Sequence, residues 1–323
     1  MSASGGTKAI IAALLANLSI AAAKFVAFLF TGSSSMIAES IHSVADSGNQ
    51  ALLLFGGKRA ARASTRAHPF GYGRERYFWA FVVAVVLFTV GALFSLYEGY
   101  EKISHAQHAG KEDNSSLWWA VGVLVFAIIA ESFSFRTAIK ESNAVRGKQG
   151  WVAFIRRSKS PELPVIVLED LGALLGLIFA LFGVVMTMIT GNHVWDGVGT
   201  IMIGVLLAVI AVVLAVEMKS LLIGESADVE MEEKICRTLE STPEVDRVIH
   251  LRTLHLGPEE LLVAAKIAVN HEDRASDIAR AIDSAEKRIR QEVPIARVIY
   301  LEPDIYRHTE AAEASTTGAP HSA

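Results

Sequence analysis

Six stretches of the chain carry the mostly apolar character of buried helices, at about 7–31, 34–57, 77–98, 116–139, 162–190 and 197–222. Each reaches the length of about 20 residues needed to span a hydrocarbon core. The second and fifth keep that length while carrying several charged residues. Past residue 224 the period changes. Residues 228–241 follow the pattern of an amphipathic helix, and 246–256 and 260–269 that of strands, with Gly257-Pro258 at the turn. Residues 274–291 predict a second helix and 296–302 a third strand. The order αββαβ is that of a small α+β domain. Residues 306–323, rich in Ala, Thr, Ser and Gly, read as disordered. The expected fold is therefore an α-helical membrane protein with six transmembrane helices over 1–224. A cytoplasmic α+β domain over 225–305 and a tail over 306–323 follow.

Charge orients the spans. Loop 57–76 carries Lys58, Arg59, Arg62, Arg66, Arg74 and Arg76 against Glu75 alone, and loop 140–161 carries Lys140, Arg146, Lys148, Arg156, Arg157 and Lys159 against Glu141. The positive-inside rule places both loops in the cytoplasm, and with six spans both termini lie there too. Segment 149–157 mixes Trp and Phe with two arginines and predicts a short interfacial helix. A hydrophobic content of 52% and a mean hydropathy of +0.38 agree with lipid burial. The net charge of −4 gives no sign of a nucleic-acid partner, and the single cysteine, Cys236, rules out an internal disulfide. The opening MSASGGTK has neither a secretory signal nor a presequence pattern, which predicts direct insertion into a bacterial plasma membrane.

The polar residues inside the spans point to chemistry. A carboxylate at the bilayer centre costs roughly 2.5–3.5 kcal/mol on insertion scales. Span two reads MIAESIHSVADSGNQ, and Glu39, His42, Asp46 and Asn49 fall on one helical face. His42 and Asp46, one turn apart, can address a single ion, and imidazole with carboxylate suits Zn²⁺ and other first-row metals. Span five carries Glu169 and Asp170. At about 1.5 Å per residue, Asp46 and Asp170 both lie about 15 Å from their entry surfaces, near the midplane. Gly172 and Gly176 predict close approach to a neighbouring helix. Two facing carboxylates repel unless protons or a cation join them. A divalent ion resolves the conflict, and its release invites reprotonation, which is a physical basis for proton coupling.

These elements resemble the cation diffusion facilitator family: AESIHSVADSGNQ in span two, HPFGYGRERY at 68–77, Asp170 with Gly176 six residues on, and the αββαβ tail. The resemblance implies a homodimeric metal/proton antiporter of alternating access, with His42, Asp46 and Asp170 as transport-site ligands. It implies Zn²⁺ as the transported substrate, with Mn²⁺, Co²⁺ or Fe²⁺ as alternatives. Zinc members commonly place His where Ile166 stands, so Glu169, Asn49, Glu39 or water are the candidates for a fourth ligand. A branch similar to the mitochondrial zinc exporters shares Leu-Glu-Asp here. The resemblance also implies a pair between Arg74 and an acid near the end of span six, for which Glu225 is the candidate. Tyr72 replaces a second loop histidine beside His68, and Ala265 and Tyr300 replace tail histidines.

Other polar residues have plainer readings. His250 and His255 fall on opposite faces of one strand, as solvated histidines. Asp196 reads as a helix N-cap. His105 and His108, with Glu112 and Asp113, read as an exposed outer loop. Glu131 is a buried acid that either pairs with Arg136 or senses protons, and Cys236 reads as a small core residue. His42 is followed by Ser43 and no H-E-x-x-H is present, which excludes an intramembrane metalloprotease and leaves no enzyme chemistry. A non-transporting metal sensor is the remaining competitor.

Overall fold

A computed structural model gives the structure of residues 4–31, 34–105, 114–243 and 245–306. His108, Glu112, Asp113 and residues 307–323 lie outside the described residues, as do the side chains of Glu39 and His42. By its internal packing the chain divides into two units. The first runs to Gly224 and takes in Leu256–Glu259, and the second begins at Glu225.

The first unit is helical. Helices α1 (Ser4–Thr31) and α2 (Ser34–Ala60) are 28 and 27 residues long. The third apolar stretch is a continuous helix in which α3 (Glu75–Val86) and α4 (Phe94–His105) are joined by a π-helical turn at Leu87–Leu93. Helix α5 (Asn114–Arg146) follows, then the short α6 (Trp151–Arg157), α7 (Glu162–Thr190) and α8 (Val194–Ile223). Among the described residues four helices are long and apolar enough to cross a membrane: Glu75–His105, Ala120–Arg146, Glu162–Thr190 and Val194–Ile223. The π turn had no counterpart in the hydropathy pattern, which averages over several turns and is blind to one extra residue in the backbone ladder.

Small residues set the helix contacts. A Cβ on Gly172 would meet Ile210 Cδ1 of α8 at 2.8 Å, so α7 approaches α8 at the expected glycine. Gly99 of α4 and Gly197 of α8 pack against each other's backbone, where either Cβ would lie within 3.0 Å of the facing carbonyl. Near the C-terminal end of α4, Lys102 binds Asp196 at 3.0 Å and Glu98 at 3.3 Å. Asp196 is thus not an N-cap. His193 holds that position, and Asp196 sits in the first turn of α8 with an ion-pair partner on another helix. At the other end Arg59 pairs with Glu75 at 3.1 Å, and Arg76 with Glu162 at 3.4 Å. The α6 helix forms where its Trp and arginines predicted, and Arg146 stacks on Trp151.

The second unit has the predicted order: α9 (Val229–Glu240), β1 (Arg247–Gly257), β2 (Glu260–Ala268), α10 (Ala275–Glu292) and β3 (Ala296–Asp304). The sheet order is β1-β2-β3, and β2 pairs parallel to β3 with a register shift between Leu261 and Leu262. A parallel pair needs a crossover, which α10 supplies. Leu261, Val263, Ala265 and Ile267 alternate inward from β2, and Ala281, Ala285 and Ile289 face them from α10 at helical spacing. Ile235 and Leu239 of α9 belong to the same core. Cys236 is half-buried beside them.

Candidate functional site

The described polar groups of α2 and α7 meet inside the first unit. Adjacent residues on a helix point about 100° apart, and Glu169 and Asp170 use that divergence to face different neighbours. Glu169 turns to α2, where Asn49 Nδ2 donates to Oε1 at 2.9 Å and Gln50 Nε2 donates to Oε2 at 2.6 Å. Asp170 turns to α5, where Ser134 Oγ donates to Oδ2 at 3.0 Å. All five side chains are buried, with Asp170 1% exposed and Gln50 fully enclosed. Asp46 of α2 stands near both carboxylates. It lies on the inward arc of α2, between the buried Ser43, Ser47, Asn49 and Gln50, and yet is only half-buried.

The structure thus brings together Asp46, Asn49, Glu169 and Asp170 from the predicted set. It adds Gln50 and Ser134, which the sequence reading missed. Both had a signal. Gln50 is a second amide beside Asn49 in a lipid span, and Ser134 follows Glu131 by three residues on the same face of α5. That face is polar or small: among the described residues the buried positions of α5 are Ala127, Glu131, Ser134, Ala138 and Ser142. Among the described residues no three His, Cys, Asp or Glu side chains gather closely enough to hold a metal ion. His42 lies outside that set, on the same helix as Asp46 and one turn before it. Ile166, 1% exposed, is packed into the apolar core one turn from Asp170 and offers no donor.

The remaining predicted residues are separate from this cluster. His68 is exposed and stacks on Tyr72, ring centroids 4.7 Å apart. Arg74 stands at the N-cap of α3. Glu225 opens the second unit, where its carbonyl accepts the His255 backbone N–H at 2.9 Å. His250 and His255 do face opposite ways along β1, but His255 is not solvated: it is 2% exposed. The end of β1 is covered on both faces, so alternation there no longer separates core from water.

Chemically the cluster is a set of oxygen acceptors inside an apolar helix bundle, with neutral N–H and O–H donors turned on them. Such a set can hold a desolvated cation or protons. Comparison with known proteins agrees. The cation efflux transmembrane domain matches residues 10–223, and the cation efflux protein cytoplasmic domain matches 227–304. The proton-coupled zinc antiporter SLC30A9 of Mus musculus is 32% identical over 246 residues, 76% of this chain and 42% of that protein. This chain therefore spans less than half the length of that relative. Magnetosome protein MamB of Paramagnetospirillum magneticum is 25% identical over 289 residues, 90% of both chains. The solved MamM-CTD H264A chain is 17% identical and is covered in full by 25% of this chain, but its TM-score of 0.24 is too low to bear on the fold. On the match across most of its length, the chain belongs to the cation diffusion facilitator family of membrane transporters.

Proposed function

We propose that the chain exports divalent metal ions from the cytoplasm in exchange for protons, zinc foremost, by alternating access. His42, Asp46 and Asp170 are the ligands in this reading. The spans number six, with both termini in the cytoplasm of a bacterial cell, and the C-terminal domain joins two copies into a homodimer. One observation carries the reading: Asp170 is 1% exposed within an apolar helix bundle, with one carboxylate oxygen held by the Ser134 hydroxyl. A desolvated carboxylate held that way is stabilised by a cation or a proton, and exchange between the two is antiport. The zinc antiporter relatives support zinc and protons. The burial of Ile166 at the position of a missing imidazole favours a second reading within the family. An oxygen-rich site without that histidine suits Mn²⁺, Co²⁺ or Fe²⁺ better than a histidine-rich one does.

Zinc uptake by proteoliposomes under an imposed pH gradient, with a pH dye beside the zinc dye, tests this. Zinc entry with matching proton exit is expected. Binding without flux would make the protein a sensor, and flux for manganese alone would remove zinc.

A further inference from the structure

Hydroxyl groups on the membrane helices have a default partner. Ser132 Oγ donates to the Ile128 carbonyl at 2.6 Å, Thr137 to Phe133 at 3.0 Å, Thr187 to Gly183 at 2.9 Å and Thr190 to Met186 at 2.7 Å. Each bond closes onto the preceding turn of its own helix, which satisfies a hydroxyl without help from a neighbour. Ser134 stands between two of these residues on α5 and does otherwise. Its hydroxyl reaches across to α7 and donates to Asp170 Oδ2 at 3.0 Å.

We infer that Ser134 is a positioning residue that sets ion selectivity, by tying up one oxygen of Asp170 so that the ion meets the other alone. The inference rests on the reading of Asp170 as a transport ligand. A carboxylate with one oxygen held by a donor ligates through a single atom. Tetrahedral zinc accepts that, with one oxygen at about 2.0–2.2 Å. Larger ions with more oxygen ligands gain from two-atom carboxylate ligation. Ser134 cannot easily follow a carboxylate that turns to give both oxygens, because it is buried on the small-residue face of α5 between Glu131 and Ala138. Glu169 does not make up the difference, since Asn49 and Gln50 hold both its oxygens. The donors on Glu169 and Asp170 thus limit how many of their oxygens an ion finds, and Ser134 governs the one on Asp170.

The test supplies Zn²⁺ and Cd²⁺ together to proteoliposomes of wild type, Ser134→Ala and Ser134→Thr, and reads the Zn/Cd uptake ratio within each preparation. A ratio does not depend on how much protein folded. Ser134→Ala should lower it about tenfold, the scale on which groups behind a metal ligand act, and Ser134→Thr, which keeps the hydroxyl, should restore it. An unchanged ratio in Ser134→Ala, with both ions slowed alike, overturns the inference and leaves the transport reading intact. If the wild type moves neither ion, the transport reading fails and the inference falls with it.

Discussion

The core of the C-terminal unit is built from Ile235, Leu239, Leu261, Val263, Ile267 and Ile289, and its charged residues lie outside. Helix α5 of the first unit is the reverse. Among its described residues Ala127, Glu131, Ser134, Ala138 and Ser142 are buried, while Val125, Phe126, Ile129 and Phe133 point outward. Burial follows whichever surroundings hold the outer surface. In water, apolar area is driven inward at about 25 cal/mol per Å². In hydrocarbon no such drive exists between helices, so small residues for close packing and hydrogen bonds between polar groups decide the interior. The carboxylates of α7 can stay buried for that reason, and the contrast can be broken residue by residue.

The largest effect is expected where the polar interior meets the ion. Asp46→Ala should bring metal flux down to the level of empty vesicles, while size-exclusion chromatography shows the same oligomer as wild type. Retained flux would remove Asp46 from the ligand set. Next comes the apolar core. Leu239→Ala should destabilise the C-terminal unit by about 2–5 kcal/mol, seen as faster hydrogen exchange over β2 and α10 in the full chain. A loss below 1 kcal/mol would mean that α9 is not part of that core.

A smaller effect belongs to the amide clamp. Gln50→Ala leaves Glu169 Oε2 without its donor and should cost about 1–3 kcal/mol, measured by thermal melting in detergent. Glu169→Gln should keep zinc affinity if the amides, and not an ion, are the partners of Glu169; loss of affinity would make Glu169 a ligand. The smallest effect lies at the contact of α4 with the start of α8. Lys102→Ala breaks ion pairs whose members are each about a third exposed, so the melting temperature should fall by no more than a stability change of about 1 kcal/mol allows.

Much of the fold was legible because it depends on one-dimensional quantities. The length of apolar runs located the helices from 75 onward, and the short apolar run LLVAAKIA after the Gly257-Pro258 turn marked β2. The divergence of Glu169 from Asp170 was also legible, since it follows from helical geometry alone. What each residue meets was not. Nothing in the sequence paired Glu169 with Asn49 and Gln50, because the pairing depends on how α2 is rotated against α7. Asp196 looked like a cap because Lys102, its partner, is 94 residues away. His255 looked solvated because its neighbours alternate, whereas its burial comes from the covering of the strand's end. Ile166 could be read as a departure from the zinc pattern, but its place in the apolar core needed the structure.

The central claim is that a buried carboxylate on α7 carries the ion. Its most direct test is zinc flux through Asp170→Ala beside wild type, in vesicles loaded with equal amounts of folded protein. The account predicts flux in the wild type and none above the lipid leak in the variant. Flux in the variant equal to that of wild type would contradict it.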